Sequence, residues 1–514
     1  EQILGMPAAE IHRRIQSRRA TGHIFTPIEL KTDISSDTAF ILEERHWELP
    51  GISVLIEPRR QYTDGNALSH ILGYVGRISD EEYAELKTQG YELNDDTGKM
   101  GVEYTYERVL RGLPGREQAE VDVTGRRRRT LDQEPAKAGD NLVLSIDLNL
   151  QQEMLKALQA GMGKSRFAAA AVMDVRNGEL LGLASLPTFD NNLFSGGIQQ
   201  GALDHLLNDE RRPLLNYATG GTYPPGSIFK IITASGALQE NIARRDTVIV
   251  SRSSISLASQ YDPRVLYHFY DWASLGPLNF PRAIAMSSDV YFYYLAGGYE
   301  NFKGLGPTKL AAYSRLFGLG EKTGIDLPGE AAGSVPDPKW KRDTLGEEWL
   351  TGDSYNFGIG QGYLLSTPLQ MVRAAAALAN GGEVLQPRVV RGTTDASGRP
   401  VKSFEKVVQR RLDVAPAHLS LIREGMRLAV TEGTARTGAA PNVNVAGKTG
   451  TAEFGTPIGR VSDTHGWFLG IAPHENPEIA VVVFFEHGNG ALTAAPAASK
   501  IIEYYFRQRQ GANR

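Results

Sequence analysis

Cysteine is absent from all 514 residues, which excludes disulfides and thiolate-held metal sites. No stretch reaches about 18 uncharged apolar residues, so no segment reads as a membrane-spanning helix. An excess of one charge is also missing. Lys and Arg number 55 against 59 Asp and Glu, a formal net charge of −4, and nothing general points to nucleic acid. The ten histidines are scattered and show no His-Glu-x-x-His pattern, so neither a metal nor a cofactor is expected. A Gly-x-Ser-x-Gly nucleophile elbow is lacking as well. Gly447-Lys448-Thr449 mimics the end of a phosphate-binding loop. That loop needs Gly where Asn442 stands, and a helix afterwards.

What is present starts at Gly221-Thr-Tyr-Pro-Pro-Gly-Ser-Ile-Phe-Lys230. A serine hydroxyl is a weak nucleophile until a base takes its proton. Pro224, Pro225 and Gly226 mark a turn, and the apolar run after Ser227 reads as a buried helix. Residues three apart share a helix face, so Ser227 and Lys230 are expected to meet. A helix N-terminus and partial burial favour the neutral amine of Lys230, the form that acts as base.

Ser-x-x-Lys alone is weak, and Ser403-Phe-Glu-Lys406 repeats it. Order strengthens the signal: Ser287-Ser288-Asp289 follows Ser227, and Lys448-Thr449-Gly450-Thr451 comes last. This is the ordered signature of penicillin-interacting serine enzymes. Competing matches differ in context. Lys322-Thr323-Gly324 runs into a turn-rich Pro-Gly segment, where Pro is disfavoured inside a sheet. Ser35-Ser36-Asp37 precedes the nucleophile and reads as a turn or helix cap. Ser354-Tyr355-Asn356 is a further match to the second element. Lys448 instead follows the strand-like Val443-Asn-Val-Ala, and precedes two more strand candidates at 466–472 and 478–485.

The length permits at least one large core and two or more domains. Residues 1–147 are charged, with short strand-like pieces such as Ile52-Ser-Val-Leu-Ile56 and His70-Ile-Leu-Gly-Tyr-Val75, and no nucleophile-base pair. The Arg126–Arg129 run reads as a solvated turn or strand edge, with contact to anionic lipid or glycan as the sharper alternative. From about 148 the pattern changes. Asn177-Gly178 between apolar runs signals a hairpin. Helical stretches are expected at 227–240, 280–297, 308–317 and 367–380, then three strands and a helix at about 494–508. Two early strands and three late ones would form one antiparallel sheet with helices on both sides.

In these ordered motifs the chain resembles the class B penicillin-binding proteins, and within them the elongation type. Arg60-Gln-Tyr62, His70–Gly76, Gly98–Glu103, Leu110–Gly115, Leu144–Gln151 and Gly360–Gln370 resemble further family segments, so the likeness covers nearly the whole chain. Tyr-Pro-Pro-Gly-Ser at 223–227 and Ser-x-Asp at 287–289 favour the elongation type over the division type, which usually has Ser-x-Asn. The resemblance implies a mixed α/β fold: a serine β-lactamase-like transpeptidase domain at 148–514, with its antiparallel sheet flanked by helices, behind an α+β pedestal module at 1–147.

The same resemblance implies a peptidoglycan D,D-transpeptidase that is acylated at Ser227 by a D-Ala-D-Ala stem peptide, passes the acyl group to an amine of a neighbouring stem, and is the target of β-lactams. Lys230 would take the proton, Ser287 relay it to the leaving amine, and Lys448 supply positive field. Asp289 replaces the commoner Asn. Its charge opposes a low Lys230 pKa, so either Lys230 or Lys448 could be the neutral amine. The Thr449 and Thr451 hydroxyls would bind the substrate carboxylate, with Gly450 letting the substrate backbone approach. The N–H groups of Ser227 and Thr451 would form the oxyanion hole. The pedestal would contact a SEDS-family glycosyltransferase. The location implied is the bacterial inner membrane, with a single-pass anchor preceding Glu1 and the catalytic ectodomain in the periplasm. Some relatives carry a zinc site with a Cys near His268-Phe-Tyr-Asp-Trp272, where this chain has none, and Tyr267-His268 reads as surface or groove.

Two other classes stay open. A serine β-lactamase would need a deacylating Glu, typically in Glu-x-x-Leu-Asn, and that string is absent. A non-catalytic β-lactam sensor would keep the acylable serine without cross-linking.

Overall fold

The computed structural model describes residues 2–20, 28–56, 59–121, 127–259, 262–458 and 461–512. The larger module is built on five strands, β1 (Ala168–Asp174), β2 (Leu180–Leu186), β3 (Ala446–Ile458), β4 (Val461–Ala472) and β5 (Ile479–Phe485). Their spatial order is β3-β4-β5-β1-β2, antiparallel throughout. The early hairpin and the late meander are thus joined edge to edge as expected. Gly178, at φ +82°, supplies the left-handed residue of the β1–β2 connection.

β1 and β5 are buried at every position. Successive strand side chains point to opposite faces, and here each face has its own core. Ala169, Ala171 and Met173 join the core containing Phe229, Ile231 and Ile232. Ala168, Ala170 and Val172 join the core containing Leu158, Ile501 and Ile502. A sheet covered on both sides needs continuous apolar sequence rather than alternation. The first core holds the helices Lys230–Gln239 and Pro368–Ala379, and the second the helices Leu148–Gly161 and Ala495–Ala512.

The expected helix over 280–297 is broken in two, Phe280–Ala285 and Asp289–Gly297. The break falls on the Ser-x-Asp motif.

Preceding the larger module are the helices Ala8–Ala20, Ser36–Glu44, Gly65–Leu72, Asp80–Leu86 and Gly101–Thr105, with strand pairs Val75–Arg77/Asp96–Gly98 and Arg116–Val121/Arg127–Glu134. Two expectations fail here. Ile52–Ile56 enters no strand, and Leu55 and Ile56 are 67% and 99% exposed. His70–Val75 divides between the end of a helix and the first residue of a strand. Short apolar runs do not distinguish the two states by period. Arg128 and Arg129 are exposed on a strand, while Arg126 lies outside the described residues.

Side chains lock the modules together. The Asn192 amide donates to the Tyr62 carbonyl at 3.0 Å and accepts the Tyr62 N–H at 2.9 Å. The Tyr106 hydroxyl donates to Asp326 at 2.9 Å. Asn141–Leu144 pairs with Val390–Thr394 of the larger module.

Candidate active site

Gly226–Phe229 forms a 3-10 turn that continues into the α-helix Lys230–Gln239. Side chains at i and i+3 eclipse in a 3-10 turn, so Ser227 and Lys230 lie on one face. Ser227 is half-buried at its surface and Lys230 fully buried. The turn is held from outside by the segment at 358–366. Gly226 N–H donates to the Gly360 carbonyl at 2.8 Å, and the Thr233 hydroxyl to the Gly358 carbonyl at 2.8 Å. Gly226 has φ +56°, and a Cβ there would stand 3.0 Å from the Thr451 carbonyl oxygen.

Lys230 Nζ donates to the Ser287 carbonyl at 2.7 Å and to Asp289 Oδ1 at 2.8 Å, with Ser287 Oγ at 3.4 Å. Among the described residues no hydrogen bond joins it to Ser227. The shared face is as expected, but the amine is drawn to the carboxylate and carbonyl instead.

Ser287 adopts φ +55°, a conformation L side chains rarely take. The following Ser288 caps the next helix, accepting the Tyr291 N–H at 3.1 Å. Beneath them sits Asp271, which no sequence pattern singled out by role. Its Oδ2 accepts from Ser288 Oγ at 2.6 Å, Ser251 Oγ at 2.7 Å and Val290 N at 3.1 Å, and its Oδ1 from Trp272 N at 2.9 Å. The Trp272 indole donates to the Met286 carbonyl at 3.0 Å. One buried carboxylate and its neighbouring ring therefore fix both sides of Ser287.

Lys448, Thr449, Gly450 and Thr451 lie on β3, the edge strand of the sheet. An edge strand leaves part of its backbone polar groups free of the ladder. Lys448 is fully buried and its Nζ meets Ser287 Oγ at 2.6 Å and the Thr449 carbonyl at 2.9 Å. Burial, then repulsion from Lys230, pushes the Lys448 pKa well below the usual lysine range, against a smaller opposing pull from Asp289. Burial raises the Asp289 carboxyl, and the Lys230 ammonium opposes that rise.

The two threonines differ. Thr449 is buried and its hydroxyl pairs at 3.0 Å with that of Thr434. Thr451 is exposed, and its hydroxyl accepts the Gly490 N–H at 3.3 Å. Gly450 is explained by the protein's own packing: a Cβ would lie 2.9 Å from the Pro225 carbonyl oxygen and 3.1 Å from Ile228 Cγ2. Its small size lets the strand approach the nucleophile turn.

The competing matches have other duties. Glu330 accepts the Thr323 N–H at 2.6 Å and the Gly324 N–H at 3.1 Å, making Lys322–Gly324 a tied turn. Ser35 caps the helix Ser36–Glu44. Ser354 accepts from the Trp349 indole at 2.9 Å within a helix. Ser403 ends an exposed strand and Lys406 pairs with Glu383.

Residues 168–503 match the penicillin binding protein transpeptidase domain, and residues 1–144 the penicillin-binding protein dimerisation domain. This chain belongs to the class B penicillin-binding proteins. Several of the proteins it resembles within that class are of the penicillin-binding protein 2 type. It is 34% identical to the peptidoglycan D,D-transpeptidase MrdA of Haemophilus influenzae, covering 99% of this chain and 78% of that protein. Among solved structures, penicillin-binding protein 2 of Helicobacter pylori in complex with MreC is 27% identical at a TM-score of 0.78, covering 98% of this chain and 92% of that one. A chain from a peptidoglycan synthase complex that coordinates polymerization and crosslinking is 31% identical at a TM-score of 0.73, covering 98% and 86%.

Proposed function

We propose that this protein is a serine D,D-transpeptidase that cross-links peptidoglycan stem peptides during cell-wall elongation, and that β-lactams acylate it. The observation that carries the reading is the continuous contact chain Asp289–Lys230–Ser287–Lys448 beneath the half-buried Ser227. Ser227 attacks the carbonyl between the two D-alanines, the terminal D-alanine leaves, and an amine of a neighbouring stem takes the acyl group. The lysines and Ser287 carry the proton. The N–H groups of Ser227 and Thr451 bind the developing oxyanion, where one donor is worth about 2.7–4 kcal/mol. The close approach of Gly226 to the Thr451 carbonyl supports that pairing. Thr449 and Thr451 bind the terminal carboxylate.

The same reading divides the chain at 147/148, where Asp147 caps the helix Leu148–Gly161. Residues 1–147 then serve as pedestal and partner module for a SEDS-family glycosyltransferase. Phe40, Trp47 and Ile56 are 71%, 69% and 99% exposed and offer apolar side chains for a partner to cover. Holding polymerase and cross-linker together raises their effective concentration. No helix of the described residues is long and apolar enough to cross a membrane. On this reading the catalytic module lies in the periplasm, on a single-pass anchor to the inner membrane.

Incubation with stem pentapeptides and an amine acceptor tests the activity. D-alanine release with cross-linked product, both lost in Ser227→Ala, is expected; acylation without any transfer would make the protein a sensor instead. Phe40→Asp and Trp47→Asp in the membrane-anchored form should weaken glycosyltransferase binding and polymerisation while Ser227 still acylates. Unchanged binding and polymerisation would end the partner assignment.

A further inference from the structure

Ser254–Ala258 and Leu266–Tyr270 pair as a hairpin whose outer face has no part in the acyl-transfer chemistry. Its inner face is anchored. The Phe269 ring meets Tyr355 edge-on at 4.9 Å and Tyr293 at 5.8 Å, beside buried Ile255. Strand side chains alternate between faces, so Leu266, His268 and Tyr270 stand on the outer one. Leu266 and Tyr270 are 52% and 66% exposed. Their cross-strand neighbours are Ala258, Ser256 and Ser254, too short to cover them. The alternation continues through buried Asp271 to Trp272, which is 58% exposed. This row is held in place. His268 Nδ1 lies 2.8 Å from Ser256 Oγ, the Tyr293 hydroxyl donates to the Tyr270 carbonyl at 3.1 Å, and the Trp272 indole donates to the Met286 carbonyl at 3.0 Å. Rings fixed in advance lose little freedom when a ligand covers them. The last of these bonds also sets the row beside the turn that carries Ser287.

We propose that this outer face, from Leu266 to Trp272, is a saccharide-binding track that holds the glycan strand whose stem peptide enters the active site. The inference rests on the Ser227 acyl-transfer reading and names where the sugar part of that substrate lies. The face of an aromatic ring is electron-rich. The C–H bonds on one face of a sugar ring carry partial positive charge, so a sugar stacks on Tyr or Trp and turns its hydroxyls to neighbouring polar groups. Ser254, Ser256 and the His268 ring supply such groups. Neither strand carries Asp, Glu, Lys or Arg. A stem peptide laid here would leave its carboxylates without the cations that recognise them, whereas a neutral sugar needs none. Length agrees. Six residues of extended chain, Leu266 to Trp272, span roughly 20 Å. The four stem residues before the scissile bond reach at most about 14 Å, so a glycan on the near part of the row stays within tether of a site beside Ser287.

Calorimetric titration of the whole chain with peptidoglycan glycan chains stripped of their stems tests the track, before and after a penicillin has been added. Binding is expected in both states, since the row lies beside the nucleophile and not on it. Tyr270→Ala should weaken it about tenfold, or ~1.4 kcal/mol, and Tyr270→Phe, which keeps the ring, should restore it. His268→Ala should weaken it too, and decides the matter if Tyr270→Ala does not fold. No binding by the wild-type chain, loss of binding once Ser227 is acylated, or an affinity that the alanine variants leave unchanged would overturn the proposal. So would a free stem pentapeptide whose binding falls in Tyr270→Ala while that of the glycan does not, which would make the face a peptide site. Failure of penicillin to form any Ser227 adduct would instead reject the acyl-transfer reading, and the first titration would still report on the track.

Discussion

Asp271 accepts the Ser288 hydroxyl at 2.6 Å from 17 residues away in the chain, and through it fixes the turn that carries Ser287 and Asp289. Asp271→Ala leaves buried Ser288 and the Val290 N–H short of an acceptor, which costs about 1–3 kcal/mol per group. Penicillin acylation is expected to fall at least tenfold. Asp271→Asn, which keeps one acceptor oxygen, should recover part of the rate. Second-order acylation constants beside melting temperatures check this, and an unchanged constant in Asp271→Ala would remove Asp271 from the site's support.

Thr434 extends the hydroxyl row of β3 by its 3.0 Å bond to Thr449. Thr434→Val keeps the shape and deletes the bond. A loss of about 1 kcal/mol in transition-state binding, roughly five- to tenfold in kcat/KM for D-Ala-D-Ala donors, is expected. The melting temperature should hold. If kcat/KM is unaltered, Thr434 does not orient Thr449.

Gly450→Ala sets a methyl 2.9 Å from the Pro225 carbonyl, so β3 and the nucleophile turn must separate. Displacement of about 1 Å between reacting groups costs about 10²-fold, and acylation should fall by that order while the protein stays folded. Stopped-flow acylation by a chromogenic cephalosporin, with circular dichroism as the control, measures it.

The ordered motifs were legible because each depends on local chemistry: a turn before Ser227, a helix cap at Ser288, an edge strand at Lys448. The β1–β2 hairpin was legible from Asn177-Gly178, and the meander from its apolar runs. Asp271 and Thr434 were not legible as site residues, since their partners lie far off in sequence and a lone Asp or Thr carries no period. The signal nearest Asp271 was the absence of a Cys around His268–Trp272. The piece at 52–56 was misread because strand-like composition does not distinguish a ladder from an exposed apolar segment. The packing of Gly450 against the Pro225 carbonyl was not legible, since it is a tertiary contact.

His70 is buried between the modules, with Nε2 2.8 Å from the Pro213 carbonyl. Burial lowers its pKa from 6.5 to about 4, with the Pro213 hydrogen bond opposing. Between those values the unfolded chain holds the proton and the folded chain does not, so stability falls as pH drops from about 6.5 towards about 4. At pH 5 the loss is about 2 kcal/mol, at roughly 1.4 kcal/mol per pH unit. Denaturant unfolding at pH 7 and pH 5 should show it, and His70→Gln should reduce the difference; an equal difference in the variant would show that other groups cause it.

The central claim is that Ser227 is the acylated nucleophile of a site that does not readily hydrolyse its acyl-enzyme. Intact mass after incubation with a penicillin, followed by peptide mapping, tests it most directly. The account predicts one adduct per chain, on the peptide containing Ser227, persisting far longer than it takes to form. An adduct on Ser403, or rapid return to the unmodified mass with the penicillin hydrolysed, would contradict it.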